Sequence, residues 1–440
     1  MKFYIADEKR QYYSIATSYF PAYSTFLILF SHYKNTELHL LKKIILSYQK
    51  FKADYLFNGY QLLDHQHVLI TDENGKVIEI IDEKNAGDDI QHFNGILSPG
   101  FINCHCHLEL SHMKNLIPEK TGLVDFVFNV VTQRHFPEEE ILDAITKAED
   151  EMIANGIVAV GDICNNTLTL PQKLKQRIAY YNFIELSGWL PQVAEMRFTK
   201  SKEYYDAFCN LSSVNCQSAL APHAPYSVSN ELWKLMKPYF KNKTTTIHNQ
   251  ETSFEDNLFI NGSGDFIRMY DKMNLDHSFF QPTGKSSLQS YAYKLSNAKQ
   301  IIFVHNTFTK KIDIEFLTTQ PYHNQQFFYC LCVNANTYIE NAFPPISLFL
   351  KYQCNMVIGT DSLASNWSLS ILDEIKTIKR YYPNIAEAEI LRWATLNGAK
   401  ALQMDNFLGS FEKDKRPGVV LIENLENNKI GSYATIKKVA

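Results

Sequence analysis

The chain contains 440 residues, of which 45% are hydrophobic and 20% are charged, and its formal net charge is −4 at pH 7. This hydrophobic content is typical of a globular protein and excludes a largely disordered chain. The small negative charge gives no reason to expect nucleic acid or an acidic membrane surface as a partner. The length predicts a large domain accompanied by a smaller one.

Residues 1–44 are predicted to be an N-terminal extension of uncertain order. The apolar stretch from Phe20 to Phe30 is too short for a membrane span, which needs about 20 residues. It also lacks the basic leader and the small-residue cleavage site of a signal peptide. We therefore expect the eight cysteines of the chain to be reduced thiols and the protein to be cytoplasmic.

Residues 45–97 have the pattern of short strands joined by glycine-containing turns. Near the C-terminus, two further strand-like runs, 418–422 and 433–436, have no helix between them. These runs most simply pair with the first group of strands. Residues 45–97 and 405–440 are therefore predicted to form one small β-sandwich domain.

Between these segments, residues 98–404 alternate strand-like and helical stretches. Apolar residues from Ile141 to Met152 recur at helical spacing, for example, and Asn155-Gly156 ends that helix. Apolar strands that alternate with helices are typical of a parallel sheet, and eight of them predict a closed α/β barrel of the (β/α)8 type. The predicted strands span residues 98–107, 157–162, 178–185, 218–223, 244–248, 301–305, 327–334 and 356–361.

Several predicted strands end in a residue that can bind a metal or transfer a proton. The carboxyl ends of barrel strands form the mouth where active sites lie. The two imidazoles of the opening strand, His105 and His107, point the same way because side chains alternate along a strand. Cys104 and Cys106 then face away from them, and we expect both to be buried packing thiols. The polar residues at the predicted strand ends are His105, His107, His223, His248, His305 and Asp361.

These side chains match the needs of a hydrolytic metal site. Zinc binds three or four nitrogen or oxygen ligands and, in catalysis, keeps one position for water. The protein positions can be filled by His105, His107, His248 and Asp361. The pKa of the bound water would fall to about 7, which makes hydroxide available at neutral pH. Glu251 lies one turn beyond His248 and can carry the water proton to a ring nitrogen of a substrate.

Each of these roles has a competing explanation. Glu251 can instead be a negative charge placed favourably near the N-terminus of a helix. His305 can be a metal ligand or can orient the metal-bound water. Asp361 can accept a hydrogen bond from that water in addition to binding the metal.

Taken in order, the motifs resemble those of the amidohydrolase superfamily, and specifically its metal-dependent aminohydrolase branch, which includes cytosine deaminase, S-adenosylhomocysteine deaminase and triazine hydrolases. The similarity runs from about residue 53 to the C-terminus. The matching motifs are Pro99-Gly100-Phe101-Ile102-Asn103-Cys104-His105-Cys106-His107, Ala221-Pro222-His223-Ala224-Pro225-Tyr226-Ser227, His248-Asn249-Gln250-Glu251, Val304-His305, Gly359-Thr360-Asp361-Ser362 and Thr395-Leu396-Asn397-Gly398-Ala399.

The resemblance implies a mononuclear centre, with ligands at His105, His107, His248 and Asp361. It also implies that Glu251 is the proton shuttle, that His305 hydrogen-bonds the bound water and that His223 contacts the substrate. Binuclear relatives carry a lysine at the end of the fourth strand, where this chain has His223. One divalent metal ion is therefore expected, with Zn2+ the usual metal of the family and Fe2+ the alternative.

Three further residues are candidates at the substrate pocket. Glu109 lies in a run, 107–111, that is similar to that of aminodeoxyfutalosine deaminases, and it binds either the substrate or other residues behind the site. Asn336 contacts either the substrate or a loop, in a segment, 332–336, that lacks the Pro and Ser of the family pattern. Glu185 ends the third strand and is either a substrate contact or a structural carboxylate.

The leading prediction is a deaminase in which metal-bound hydroxide attacks the amine-bearing carbon of a purine, pterin or adenosine-like ring, with aminodeoxyfutalosine among the candidates. The first alternative keeps the metal and hydrolyses a cyclic amide, a halogenated ring or another non-peptide C–N bond. The second alternative is a non-catalytic protein built on the same barrel. The expected partner is a small molecule rather than nucleic acid or a membrane, and a homodimer is left open.

Overall fold

The computed structural model describes residues 4–6, 12–14, 48–211, 216–319 and 325–440. Most of the predicted N-terminal extension, 1–44, lies outside these ranges. Within it, two short strands pair antiparallel, with Tyr4 opposite Ser14. The residues from Gln49 to Ala440 form one compact unit.

The described strands and helices follow in chain order. The strands are β1 (Tyr4–Ala6), β2 (Tyr12–Ser14), β3 (Tyr48–Lys52), β4 (Tyr55–Phe57), β5 (Leu62–Asp64), β6 (His67–Asp72), β7 (Val77–Asp82), β8 (Ile90–His92), β9 (Ile96–Pro99), β10 (Phe101–Cys106), β11 (Ile157–Cys164), β12 (Ala179–Leu186), β13 (Cys216–Pro222), β14 (Thr244–Asn249), β15 (Gln300–His305), β16 (Gln326–Leu331), β17 (Asn355–Ile358), β18 (Val419–Glu423) and β19 (Thr435–Lys438). The α-helices are Glu83–Ala86, Leu123–Gln133, Glu138–Ala154, Leu170–Lys173, Ala194–Cys209, Asn230–Met236, Glu255–Asn261, Phe266–Lys272, Ser287–Tyr291, Lys311–Thr319, Val333–Glu340, Ile346–Lys351, Ile371–Tyr381, Glu387–Ala394 and Leu396–Ala401. Shorter 3-10 helices span Leu108–Met113, Pro191–Val193, Pro225–Ser227, Lys237–Phe240 and Ala292–Leu295.

A small β-sandwich is built from both ends of the compact unit. One sheet has the strand order β19-β18-β9-β4-β5 and the other the order β7-β6-β3-β8. Their shared core contains Phe51 and Leu69 from one sheet and Leu56, Leu97 and Leu421 from the other. Because β18 pairs antiparallel with β9, the C-terminal strands lie directly beside the segment that leads into β10.

The eight strands β10 to β17 form two parallel four-stranded sheets, β10-β11-β12-β13 and β14-β15-β16-β17. Backbone hydrogen bonds join them at both seams. At one seam the His248 N–H donates to the His223 carbonyl over 3.0 Å. At the other, the N–H groups of Thr360 and Asp361 both donate to the His105 carbonyl, each over 3.0 Å. The prediction of a (β/α)8 barrel is therefore confirmed, and both seams close at predicted site residues.

Buried side chains lie on both faces of the barrel strands. On one face, Ile102 and Val304 share a cluster with Leu402. On the other, Phe303 belongs to a cluster that includes Ile145 from a surrounding helix. Burial on both faces explains why these strands read as continuous apolar runs. Among the described residues, no helix combines the length and the apolar character needed to cross a membrane.

The seventh predicted strand, 327–334, is too long at its C-terminal end. Strand β16 ends at Leu331, and a helix begins at Val333. The Asn334 N–H in the first turn of this helix donates to the buried Glu374 carboxylate over 3.0 Å. That bond satisfies a backbone donor that has no partner within the helix, which favours helix over strand at this point.

Candidate active site at the barrel mouth

The histidines of the opening strand converge at the carboxyl end of the barrel. The Nε2 atoms of His105 and His107 lie 3.2 Å apart, as the shared direction of their side chains requires. One ring nitrogen of His248 joins them, so that three possible metal-ligand atoms lie within 4.8 Å of one another. His105 lies in β10 and His107 directly follows it, whereas His248 lies in β14, which belongs to the other sheet of the barrel.

Asp361 completes this group. Its Oδ1 lies 3.4 Å from Nε2 of His107 and 3.6 Å from Nε2 of His105. Its Oδ2 accepts a hydrogen bond from the Ser365 hydroxyl over 2.7 Å, which fixes the carboxylate plane. Burial by itself raises the pKa of Asp361, but the close approach of the His105, His107 and His305 imidazoles outweighs it and holds that pKa well below its usual range.

The two cysteines beside these histidines are buried and unpaired, as expected for packing thiols. They do not share one face, however. Cys104 belongs to the cluster that contains Ile102, whereas Cys106 belongs to the cluster on the helix side of the strand. The pairing register between β10 and β11 shifts between Asn103 and Cys106, which interrupts simple alternation.

The backbone is left-handed at three strand ends of the site. The φ angles are 45° at Gln250, 72° at His305 and 58° at Asp361. Such conformations cost non-glycine residues on the order of 1–3 kcal/mol each and persist only where surrounding contacts hold them. They turn the chain sharply after β14, β15 and β17, so that side chains at the strand ends face the mouth.

The donor set fits a single divalent metal ion. The Nδ1 atoms of His105 and His107 and both ring nitrogens of His248 are buried and have no hydrogen-bond partner among the described residues. Burial lowers the pKa of His105, His107 and His248, with neighbouring imidazoles adding to the effect at His248. Neutral imidazole is the form that binds a metal, and zinc accepts imidazole and carboxylate together. Coordination through one ring nitrogen of His248 would satisfy a buried atom that is otherwise costly to leave unpaired.

Glu251 and His305 face each other across this centre. Oε1 of Glu251 lies 3.6 Å from Nε2 of His305. Burial, followed by repulsion from Asp361 and Glu340, raises the pKa of Glu251 well above its usual value. The following helix begins only at Glu255, so Glu251 is not in its first turn and a helix-dipole role does not explain its position. A buried carboxyl with a raised pKa can both take up and release a proton near neutral pH.

Asn336 is not where a substrate contact would be. It is 2% exposed and does not line the cavity described below. Its Oδ1 instead lies 2.7 Å from Nδ1 of His305, which therefore carries the ring proton. This contact favours the second of its two interpretations, a bond within the protein, and a direct substrate contact stays a prediction. The reason is the helix that starts at Val333, which directs this amide toward His305.

Glu109 also lies behind the cavity. Its Oε1 accepts a hydrogen bond from Arg134 over 2.8 Å, and its Oε2 accepts one from the Asn165 N–H over 2.9 Å. Residues 108–113 form a 3-10 helix, which turns this side chain away from the open space. These contacts favour the second of its two interpretations, a bond to residues behind the site, and both partners of Glu109 line the cavity.

A cavity of about 580 Å3 opens above the histidine cluster, within the range of small-molecule sites. The His223 imidazole lines it, with Nδ1 2.7 Å from the Ser227 hydroxyl. Because Ser227 donates its own proton to the Ala224 carbonyl, it accepts from His223 and leaves Nε2 of His223 unprotonated. The walls are mainly apolar and include Leu123, Phe126, Trp189, Met269 and Tyr270.

Glu185 lies in the cavity wall, which is the position that a substrate contact requires. Its Oε2 accepts a hydrogen bond from Asn165 over 2.9 Å, and its Oε1 lies 3.7 Å from Nε2 of His248.

Three residues of the site were not identified from the sequence, namely Arg134, Asn165 and Ser365. No motif marks them, and only their contacts with Glu109, Glu185 and Asp361 identify them.

Comparison with known proteins gives consistent matches over most of the chain. A sequence profile of the Amidohydrolase family matches residues 96–440. A 5-methylthioadenosine/S-adenosylhomocysteine deaminase of Saccharophagus degradans is 26% identical over 388 residues, covering 82% of this chain and 79% of that protein. An adenosine deaminase of Helicobacter pylori is 25% identical over 352 residues, covering 78% of this chain and 83% of that protein.

Solved structures share the fold. The crystal structure of Helicobacter pylori aminofutalosine deaminase in complex with methylthio-coformycin superposes with a TM-score of 0.69 at 24% identity, covering 86% of this chain and 93% of that one. An adenosine deaminase from Xanthomonas campestris with bound zinc superposes with a TM-score of 0.64 at 19% identity, covering 85% of this chain and 84% of that one.

Proposed function

Because this chain belongs to the amidohydrolase family, we propose that it is a metal-dependent hydrolase that removes the exocyclic amine from an adenosine-like substrate and releases ammonia. One observation carries the proposal: the buried Glu251 carboxyl faces the same point as three imidazoles and Asp361, at the floor of a cavity of about 580 Å3. Its sequence relatives named above are deaminases of adenosine and of thioether derivatives of adenosine.

The proposed ligands of one divalent metal ion are His105, His107, His248 and Asp361. Zinc is the proposed metal, since it binds imidazole and carboxylate in hydrolytic sites, and iron(II) is the alternative for the same donors. When bound, such an ion supplies a water molecule whose pKa is lowered to about 7.

The remaining steps belong to the chain's own side chains. Glu251 takes the proton of the attacking water and delivers it to a ring nitrogen, which prepares the amine-bearing carbon for attack. His305 presents an unprotonated Nε2, because its Nδ1 proton is held by Asn336. It can therefore accept a hydrogen bond from the water and orient it. His223 presents its Nε2 to the cavity from the neighbouring strand and is proposed to contact the amine side of the ring.

Ammonia release provides the test. Purified protein loaded with zinc is assayed with adenosine, 5′-deoxyadenosine, 5-methylthioadenosine, S-adenosylhomocysteine and aminodeoxyfutalosine, and with cytosine and guanine as ring controls. We expect at least one adenosine derivative to release one equivalent of ammonia, and we expect Glu251→Gln to retain metal while losing about 100-fold or more of the rate. If the loaded enzyme opens a cyclic amide or dehalogenates a ring but releases no ammonia, the deaminase proposal is wrong. Absence of bound metal after zinc loading would instead favour a non-catalytic barrel protein.

A further inference from the structure

Glu255 lies immediately behind the turn that carries Glu251, and its carboxylate is aimed back at that turn. It is fully buried. Its Oε1 accepts the Gln250 N–H over 3.0 Å, and its Oε2 accepts the Glu251 N–H over 3.2 Å. The Ser287 hydroxyl, from a separate helix, donates to Oε1 over 2.6 Å. One carboxylate thus holds two consecutive peptide groups between the proposed ligand His248 and the proposed shuttle.

The peptide that it holds is a strained one. Gln250 has a left-handed φ of 45° and is 1% exposed. Its side-chain amide donates to Asp256 over 3.2 Å and to Asp313 over 2.9 Å, and its carbonyl accepts the Phe308 N–H over 2.9 Å. A non-glycine residue keeps such a conformation only where its surroundings over-determine it, and strained residues of this kind cluster at functional sites.

The direction of Glu251 depends on this turn. Its side chain has no hydrogen bond of its own to the surrounding protein among the described contacts, and Nε2 of His305 lies 3.6 Å from its Oε1. The backbone of residues 250 and 251 is therefore what aims the carboxyl at the centre. A shift of about 1 Å in a reacting group can reduce a rate by about 100-fold.

We propose that Glu255 is a positioning residue, which acts through the peptide groups of Gln250 and Glu251 to aim the Glu251 carboxyl at the catalytic centre. The inference rests on the proposed function, since it needs Glu251 as the proton carrier. Glu255 touches neither the cavity nor the proposed metal ligands through its side chain, so its effect is on turnover rather than on binding.

The test compares Glu255→Gln with Ser287→Ala and with a matched control. In Glu255→Gln an amide N–H2 group faces the backbone donors in place of one oxygen. We expect kcat to fall by about 100-fold with KM changed less than about threefold and metal content unchanged. Ser287→Ala removes only one of the two donors to Oε1 and should lower kcat by a smaller factor. The control is Glu149→Gln, the same change at an equally buried glutamate that bonds Tyr180 on the outer side of the barrel.

Hydrogen exchange measured by mass spectrometry supplies a readout that does not need activity. Peptides covering residues 249–252 should exchange at least about tenfold faster in Glu255→Gln and unchanged in Glu149→Gln, because an amide that loses its acceptor loses its protection. The proposal is overturned if kcat and exchange in Glu255→Gln and Ser287→Ala stay within twofold of the unmodified protein. If the unmodified protein releases no ammonia from any adenosine derivative, the proposed function fails instead, and the exchange measurement still decides the role of Glu255.

Discussion

Nδ1 of His305 lies 2.7 Å from Oδ1 of Asn336, which determines the ring tautomer of this histidine. The pair joins the end of β15 to the first helix after β16, and both side chains are almost fully buried. Since an amide oxygen can only accept, the proton lies on Nδ1 and the lone pair of Nε2 points to the centre. Asn336, which does not line the cavity, thereby determines which ring nitrogen of His305, a lining residue, carries the proton.

We expect Asn336→Ala to lower kcat by about 100-fold while bound metal stays at the level of the unmodified protein. The freed imidazole can rotate or change tautomer, so that Nε2 no longer presents a lone pair to the attacking water. Steady-state kinetics and metal analysis check this. Asn334→Ala, on the same helix, is the control and should keep its kcat within about threefold; an equal loss in both variants would contradict the role given to Asn336.

Removal of the metal is expected to lower both activity and thermal stability. His107→Ala should bind less than a tenth of the metal of the unmodified protein, since one of the proposed ligands is missing. A ligand present at 100 times its Kd stabilises the folded state by about 2.7 kcal/mol, so chelation should lower the Tm and added zinc should restore it. His67→Ala, a half-buried histidine of the β-sandwich, is the control. If the metal content of His107→Ala is unchanged, His107 is not a metal ligand.

The ion pair between Glu109 and Arg134 is expected to act on substrate binding. Glu109→Gln weakens a charge-assisted bond of the kind that contributes about 1.5–3 kcal/mol, and Arg134 lines the cavity. We expect KM to rise about tenfold with kcat changed much less. The control is Glu389→Gln, which weakens a more exposed glutamate–arginine pair, with Arg392, that does not line the cavity. A rise in KM for both variants would point to a general loss of packing instead.

Glu374 is expected to make the protein less stable as the pH rises. Burial raises the pKa of Glu374 from 4.5 to about 8 in the folded protein. Between these two pH values the folded state binds more protons than the unfolded state, so the free energy of unfolding falls with increasing pH. Replacing Glu374 by Gln removes this titration, and the drop in Tm between pH 6 and pH 8.5 should become smaller at constant metal saturation. The exposed Glu139→Gln should leave the drop unchanged, and an undiminished drop in Glu374→Gln would contradict the prediction.

The sequence could predict the parts of the molecule that depend on local pattern. The eight apolar runs predicted the barrel, the histidines, Glu251 and Asp361 at strand ends predicted a hydrolytic metal site, and the resemblance of these motifs to the aminohydrolases predicted deamination. These conclusions are supported because each apolar run and each motif is a pattern of a few neighbouring residues. The end of β16 was less predictable, since the carboxylate of Glu374 that favours a helix there is 40 residues away.

Only the tertiary structure decided what the side chains around the centre do. Glu109 follows the motif of His105 and His107 directly, Asn336 follows strand β16, and neither side chain lines the cavity. Their partners, Arg134 and His305, are 25 and 31 residues away along the chain. Which of two polar groups faces a substrate and which faces another protein group depends on the packing of separate strands and helices. The sequence by itself determined which residues reach the barrel mouth, and the packing between elements determined which of them are free to meet a ligand there.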